Sequence, residues 1–583
     1  MSRSPVSLTK KSPGRTDRGD ETTRRLCVGV YLDHEFRDTV IRDVLNNTRH
    51  RVAPSYGFDL VPVADHAWRA WTLENLQHTC MLAILAITGV HSPAAVITAL
   101  CMLLLWGLAG PVARMVTQVI VLKIKSFIPS RFHKYKTRQE LIDAHDLERR
   151  TTCLKLSLAG CALALVAPAL CAGVAEIPFS AALTLATAAL GLMAGVASLI
   201  TAARQRSIGV AQDPGTPRPA MLSRRLRTID RQQTHPVVVF RRPESEDEDE
   251  DVPRFSFDRD EPRFFLGSGE LVHRWLPPLA IQLLRPEHKG MNSTFRAADE
   301  SDGLARRGHV SPPFQAHELV DHLRQVMRPI GHSADPIRLP GYQVKDRVFV
   351  AEEDVPEHRA LFGCSWDPAL LRRIINDPYS AAQHFLEMRV TSSGELVTTV
   401  FLRVTVKGRS LVLDFAACAL TRTPSEYQRA GRRARTRAGS LVWPALKAPW
   451  RLPAEICRSW HLLKAPATLI NAVRAHRSRA EGTGHGPQPS VREDRAAKWE
   501  LATFDKPTIL AQMKIIEQRL LKATQDFLKD HDVDTSAFEK RAETLISASV
   551  LNMGGRVDIS NSAVGDNAQI IHNTPVALEG AQS

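Results

Sequence analysis

One long apolar stretch, CMLAILAITGVHSPAAVITALCMLLLWGLAG at residues 80–110, constrains the fold of this chain more than any other feature. As a single helix it would be about 46 Å long, against a hydrocarbon core of about 30 Å. Glycine and proline punctuate helices, and both occur in the GVHSP sequence near its centre. The sequence therefore predicts two membrane helices, at about 76–90 and 93–110, and leaves open one long tilted helix.

Two further apolar runs, at about 156–174 and 181–203, complete a predicted membrane domain at 71–204. The short turn within each pair of helices lacks Lys and Arg, whereas the connecting loop at 111–152 is rich in both. Basic loops stay on the cytoplasmic side of a bacterial membrane. The asymmetry therefore predicts a multi-pass protein with four membrane helices and both termini in the cytoplasm.

The predicted membrane helices have small residues but no charged side chain near their middles. Transporters and pumps usually carry ionisable groups at membrane depth, so these helices are expected to form an anchor. Gly191 and Gly195 have the GxxxG spacing that lets two helices approach closely, which predicts a packing site. An alanine-rich chain also has such spacings without any specific contact.

Two regions flank the membrane domain. Residues 1–24 are polar and basic and predict a disordered tail, followed at 25–70 by a small cytoplasmic α/β segment with a strand at 26–32 and a helix capped by Asp33. So short a segment cannot bury a core alone, so it is expected to pack against another part of the protein. Residues 205–262 predict a disordered linker that contains the acidic run ESEDEDEDV.

A cytoplasmic α+β domain is predicted at 263–427. Helical patterns occur near 313–327 and 368–375. The next part, HFLEMRVTSSGELVTTVFLRVTVKGRSLVLDFAACAL, has three runs rich in β-branched and aromatic residues, joined by Ser-Gly and Lys-Gly turns. These runs predict an antiparallel β-meander.

The segment at 428–500 is predicted to be a basic linker with an amphipathic helix, and it holds much of the positive charge of a chain whose formal net charge is +14. Its basic residues would be attracted to the anionic lipid head groups of the inner leaflet. The side chains predicted to make this contact are Arg432, Arg433, Arg435 and Arg437. An inert linker and a nucleic-acid surface are the alternatives; no recognised DNA or RNA motif accompanies the patch, which makes nucleic acid the weaker one.

The C-terminal region combines a helical segment at 501–551 with a flexible, β-prone tail at 552–583. An apolar stripe at helical spacing favours a short coiled coil or a helical hairpin. The stripe predicted to join copies of the chain into a homo-oligomer consists of Ile509, Met513, Ile516 and Leu520. A second, β-type contact is predicted in the tail at Val557, Ile559, Val564 and Ile570.

No catalytic, cofactor or metal site is predicted from sequence motifs. HEFRD at His34 and HELVD at His317 approach the zinc-protease pattern HExxH, but Asp38 and Asp321 occupy the position of the second histidine. The nine cysteines form no CxxC pair, and the glycines of FLGSGELV are too few for a phosphate-binding loop.

Several segments resemble multi-pass membrane proteins of unknown function from high-GC actinobacteria: RRLCVGVYLDHEFRDTVIRDVLNN, the apolar pairs, the LVTTVFLRVTVKGRSLVLDF meander and the NMGG…SAVGDNAQI ending. The resemblance implies a bacterial plasma membrane and brings no activity. The expected function is an integral membrane scaffold or signalling protein that presents cytoplasmic interaction domains. The alternative is a membrane-bound enzyme or transporter subunit with an unrecognised site in 263–427.

Overall fold

The computed structural model describes residues 18–48, 50–127, 138–174, 178–212, 219, 222–242, 264–286, 311–332, 335–363, 367–392, 395–435, 439–477, 486–487 and 490–552. The N-terminal half of the chain is helical, and the C-terminal half contains a curled mixed sheet with helices packed on it. Helical and α+β parts are thus both present, as the sequence predicts.

The helices are α1 (Arg18–Leu32), α2 (His34–Thr39), α3 (Leu60–His91), α4 (Pro93–Phe127), α5 (Arg138–Val174), α6 (Phe179–Gln212), α7 (Arg224–Gln233), α8 (Ala316–Met327), α9 (Pro368–Asn376), α10 (Ser425–Arg435), α11 (Gly439–Lys447), α12 (Leu452–Arg458), α13 (Ala465–Arg477), α14 (Lys506–Asp530) and α15 (Ser536–Asn552). The strands are β1 (His50–Arg51), β2 (Val237–Phe240), β3 (Glu270–Arg274), β4 (Leu279–Gln282), β5 (Gln343–Ala351), β6 (Gln383–Ser392), β7 (Leu396–Lys407), β8 (Ser410–Leu420) and β9 (Gly486–Pro487).

The predicted strand at 26–32 is wrong, because these residues form the second half of α1. Leu26, Cys27, Val28 and Val30 are all buried, since α1 packs against α3, α6 and α10. A continuous apolar run enclosed on several sides has no helical stripe by which to recognise it. The prediction that Asp33 caps the next helix is confirmed, because its carboxylate accepts a hydrogen bond of 3.1 Å from the Phe36 amide.

Three helical segments are long and apolar enough to cross a membrane: Pro93–Val121, Thr151–Cys171 and Phe179–Gln212. The sequence predicts four. The additional one, at 76–90, is the second half of α3, which ends at His91 before the extended Ser92. It is absent from the three because its apolar part is short, about 16 Å from Met81 to His91, and follows a polar first half.

The buried face of α6 does not contain the predicted packing glycines. Its buried side chains are Ala182, Ala186, Ala189, Met193, Ala197, Ile200, Ile208 and Ala211. Gly191 and Gly195 lie on the exposed face, and a Cβ atom built on either would meet no heavy atom within 4 Å. Among the described residues, the GxxxG glycines therefore contact no other helix, and the buried face of α6 consists largely of alanines.

The sequence predicts a disordered linker at 205–262, but residues 222–242 within it contain a helix and a strand. Ser223 caps α7, and Val237–Phe240 forms β2, whose four residues are all buried and pair in parallel with β5. Pairing with a partner more than a hundred residues away explains why local composition did not reveal this strand. The acidic run at 244–252 lies outside the described residues.

The sheet has the strand order β2-β5-β6-β7-β8-β3, with β4 also paired to β8. The predicted meander is confirmed, since β6, β7 and β8 are consecutive antiparallel strands. The predicted helices near 313–327 and 368–375 are α8 and α9. We refer to β2–β8 with α8, α9, α14 and α15 as the sheet domain.

One face of the sheet is covered by α8 and α14. Ile509, Met513, Ile516 and Leu520 of α14 are 0–4% exposed within the core that α14 shares with β6, β7 and β8. The stripe therefore stabilises the sheet domain itself and leaves no exposed surface for the predicted self-association or coiled coil. The second predicted contact, at Val557, Ile559, Val564 and Ile570, lies outside the described residues.

The other face of the sheet receives a loop from the N-terminal half. Tyr56, in the loop at 53–59 (the Tyr56 loop), is fully buried among Phe349, Phe385 and Phe401 of the sheet. The expectation that the segment at 25–70 packs against another part of the chain is thus met. Because α3 starts at Leu60, the Tyr56 loop joins the long helices directly to the sheet domain.

Candidate membrane interface

The three apolar helices expose large aliphatic side chains over much of their length. Between 11% and 28% of each apolar window is buried inside the protein. Leu163, Leu165, Leu170, Leu192 and Leu199 are each 63–70% exposed. Soluble proteins rarely expose continuous apolar surface on this scale, so the surface is compatible with membrane association.

A short helical segment at residues 439–464 packs on α3, α4 and α6, and we call it the collar. It consists of α11, α12 and two 3-10 turns, Ala448–Arg451 and Ser459–Lys464. Ala448 and Leu452 are buried against Met81 of α3, Leu103 of α4 and Met193 of α6. The collar therefore joins three long helices that come from the other half of the chain.

One hydrogen bond and one van der Waals contact fix the position of the collar along α6 and α4. The Ser198 hydroxyl donates a hydrogen bond of 2.9 Å to the carbonyl of Ala445. Ser198 follows Phe179, the first residue of α6, by about 29 Å of helix, which is close to the thickness of a hydrocarbon core. Pro453 packs on Gly107 of α4, where a Cβ atom would lie 3.0 Å from the Pro453 Cβ.

The outer surface of the collar combines exposed aromatic rings with lysines. Trp443, Trp450 and Trp460 are 63%, 72% and 59% exposed. The ammonium groups of Lys447 and Lys464 lie over the rings of Trp443 and Trp460, 4.6 and 5.5 Å from their centroids. Tryptophan and lysine are the residues that proteins place at the membrane–water boundary, since each has an apolar body and a polar end.

A buried polar layer connects the collar to α3. Glu455 lies 3.4 Å from both Gln77 Nε2 and His78 Nε2. The hydrogen bond from His78, followed by the charges of Arg204 and Arg458, holds the pKa of Glu455 below its usual value despite burial. Glu74, one turn earlier on α3, forms a buried ion pair with Arg37.

The histidines of the two near-HExxH sequences have structural roles. His34 Nδ1 lies 3.3 Å from Glu74, and burial, with the nearby charge of Arg37, lowers its pKa to about 4. His317 contacts the Asn376 side chain, which joins α8 to α9. Within the described ranges no three His, Cys, Asp or Glu residues are grouped as metal ligands would be.

The predicted lipid-binding arginines on α10 lie about 21 Å from the collar, measured along α6 from Ser198 to Gln212. Arg432 and Arg433 are exposed on α10, which crosses the end of α6 where Gly431 packs against Gln212. Nothing is described of the Arg435 side chain, and Arg437 lies outside the described residues. The sequence analysis did not predict the exposed tryptophans of the collar, although SLVWPALKAPWRLP shows Trp443 and Trp450 within four residues of a basic residue.

A scan against protein-family models finds an AbeC-like domain at residues 278–560, a family with no assigned function. The matched region begins at β4 and contains most of the sheet domain and the whole collar, but none of the three apolar helices. No curated protein and no solved structure matches the chain.

Proposed function

We propose that this protein is an integral scaffold or signalling protein of the bacterial plasma membrane, which holds its sheet domain at the cytoplasmic surface. The observation that carries the proposal is the collar, which packs on α3, α4 and α6 and exposes tryptophans paired with lysines. Scaffolding fits a domain that is fastened rigidly to its anchor through both the collar and the Tyr56 loop.

We further propose that α3 crosses the bilayer as a fourth helix. Leu60 and Val61 at its start share a buried core with Ile208 and Ala211 at the end of α6, so both ends lie on the same side. Three crossings in sequence would place these ends on opposite sides. The exposed Ile87 and Val90 near the end of α3 are suited to contact lipid.

A labelling experiment tests this topology. Cysteines placed at His91 and Ser180, both exposed, in a background without native cysteines are expected to react with an impermeant thiol reagent outside intact cells. A cysteine at Ser126 is expected to react only after the cells are opened. Labelling at Ser126 alone in intact cells would invert the proposed orientation.

A second experiment tests the collar itself. A bimane fluorophore at Leu446→Cys, on the exposed side of α11, is expected to be quenched by brominated lipids in nanodiscs. Leu276→Cys is the matched control, since Leu276 is an equally exposed leucine on the sheet domain, 72% against 62%. Equal quenching at the two positions, or none at Leu446, would remove the collar from the membrane surface.

The alternative of a membrane-bound enzyme or transporter subunit is favoured by one observation. Charged side chains of β5 and β6, within residues 263–427, are buried together under the Tyr56 loop. A metabolite retained and turned over by the purified full chain would support this alternative.

A further inference from the structure

Four cations and one carboxylate form a charged cluster between the sheet and the Tyr56 loop. Its members are Lys345, Arg347, Glu387, Arg389 and Arg492. Arg347, Glu387 and Arg492 are 4%, 1% and 0% exposed, Arg389 is half-buried, and Lys345 is exposed. The cluster is therefore a buried site that reaches the surface at Lys345.

Strand register places these residues together. Side chains two apart on a strand share a face, so Lys345 and Arg347 of β5 lie on the same side of the sheet as Glu387 and Arg389 of β6. Lys345 is directly opposite Glu387. The segment at 490–495, which contains Arg492, covers this face from outside the sheet.

The contacts of the cluster bring three distant parts of the chain to one point. Glu387 Oε2 pairs with Arg347 and accepts a hydrogen bond from the Tyr56 hydroxyl. The guanidinium groups of Arg347 and Arg389 lie 5.6 and 5.7 Å from the centroid of the Tyr56 ring. Arg492 donates hydrogen bonds to the backbone carbonyls of Tyr56 and Glu395.

Positive charge exceeds negative charge in this cluster. Glu387 is its only carboxylate, and the neighbouring Glu395 side chain is already engaged by Arg25 and Thr423. Uncompensated buried charges are costly, so proteins pair them. Partial desolvation, together with the charges of Arg389 and Arg347, lowers the pKa of Lys345 to about 8 even with Glu387 opposite.

Several buried atoms of the same region also lack hydrogen-bond partners among the described residues. They are Glu387 Oε1, Arg389 Nε, Thr399 Oγ1 and Arg492 Nε. Thr399 is 0% exposed and lies opposite Arg389 in the sheet. Three of these four atoms are donors, and buried donors are rarely left without an acceptor.

We propose that the charged cluster binds a small oxyanion with phosphate chemistry, as inorganic phosphate or a soluble phosphomonoester. A dianion offsets most of the excess charge, and its several oxygens accept from arginine and hydroxyl donors at once. Such a ligand would link β6 and β7 to the segment at 490–495 and thereby strengthen the attachment of the Tyr56 loop.

The location of the cluster favours a soluble ligand over a lipid head group. Gln77, the residue of α3 that contacts Glu455 of the collar, lies about 26 Å along the helix from Leu60. The Tyr56 loop precedes Leu60, so the cluster is separated from the collar by about this length of helix. Dissolved phosphate can diffuse to a site about 26 Å from the membrane surface, whereas a lipid head group stays at that surface.

Thermal unfolding of the full chain in detergent, at constant ionic strength, tests the site. Inorganic phosphate and glycerol 3-phosphate are expected to raise the Tm with saturation, relative to chloride. Lys345→Gln and Arg389→Gln are expected to weaken the apparent affinity by about tenfold each, the loss of one charge-assisted contact. Lys407→Gln, which removes an exposed lysine at the β7–β8 turn, is expected to leave it unchanged.

Three results would overturn the proposal. One is a Tm that phosphate raises no more than chloride does, and another is an equal phosphate response in Lys345→Gln and the unmodified protein. Stabilisation by short-chain phosphatidylglycerol but not by phosphate would also contradict it, because the ligand would then be a lipid. If Arg389→Gln does not fold, equilibrium dialysis of labelled phosphate against Lys345→Gln and Lys407→Gln decides the question.

Discussion

The Tyr56 hydroxyl donates a hydrogen bond of 3.2 Å to Oε2 of Glu387, a residue 331 positions later in the chain. Tyr56 belongs to the loop that leads into α3, and Glu387 lies in β6 at the centre of the sheet. Burial and the negative charge of Glu387 raise the pKa of Tyr56 well above its usual range, so the phenol stays protonated as a donor. The contact therefore couples the long helices to the sheet domain.

Tyr56→Phe removes this hydrogen bond while it keeps the ring. We expect the free energy of unfolding to fall by about 1.5–3 kcal/mol, because the acceptor is a buried carboxylate. Chemical denaturation of the full chain in detergent measures the loss. Tyr379→Phe is the control, since Tyr379 is 84% exposed, and a similar loss in both variants would deny the Tyr56 contact any special role.

Gly57 is held in a conformation that favours glycine, with φ of +71°. An added Cβ would also lie 2.9 Å from both Arg492 Nη1 and Val397 Cγ2. We expect Gly57→Ala to cost more than Gly408→Ala, whose φ is +56° and whose Cβ would meet nothing within 4 Å. Strain from positive φ alone is about 1 kcal/mol. Equal unfolding free energies for the two variants would mean that the Tyr56 loop adjusts to the extra methyl group.

Ile516→Asp places a charge in the core between α14 and the sheet. The expected result is loss of the folded sheet domain, since removing buried apolar groups costs about 2–5 kcal/mol before the charge is counted. Gln518→Asp, on the exposed side of the same helix, is expected to fold normally. Circular dichroism measures folding and sedimentation measures the oligomeric state. If Ile516→Asp stays folded but changes the protein from dimer to monomer, the predicted self-association through this stripe would be supported.

The regular parts of the sheet domain were predictable because their patterns are local. The meander, α8 and α9 each follow from turn residues or periodicity within a few positions, and so does the Asp33 cap outside the sheet domain. The charged cluster was not predictable, because its residues follow patterns typical of a solvent-facing strand. Glu387 and Arg389 alternate with apolar residues, and Lys345 and Arg347 flank another charged residue, Asp346. They are enclosed only because the Tyr56 loop and Arg492, remote in sequence, cover that face.

The arginines near α10 give a prediction about lipid charge. We expect the protein to be more stable in nanodiscs of anionic lipid than in nanodiscs of zwitterionic lipid. This difference is expected to shrink when four arginines are changed together to Gln: Arg432, Arg433, Arg435 and Arg437. A basic residue at an anionic surface contributes about 1 kcal/mol. The arginines on α10 lie about 21 Å along α6 from the collar, so the expected effect per residue is smaller. The gain in Tm between the two lipids measures the effect, and a gain unaltered by the four changes or by added salt would exclude the electrostatic contact.

Lys345 makes the anion response depend on pH. Its pKa is lowered to about 8 next to Arg347, Arg389 and Glu387, so the folded protein loses this proton before the unfolded chain does. Without ligand, the contribution of Lys345 to stability therefore rises as pH increases above about 8. Stabilisation by sulfate, whose charge is constant, is expected to fall over the same range, and Lys345→Gln is expected to abolish that dependence. A flat sulfate response in the unmodified protein would contradict it.

Leu60 at the start of α3 and Ala211 at the end of α6 lie in one buried core, so the long helices begin and end at the same place. If these helices span a membrane as proposed, they are synthesised before the sheet and the segment at 490–495 are translated. During that time the Tyr56 loop has no pocket to bind, because Glu387 and Arg492 are synthesised later. Docking of the loop thus requires that translation has passed the last of these residues, and a chain cut short before Arg492 would lack the contact that this residue makes with the Tyr56 carbonyl.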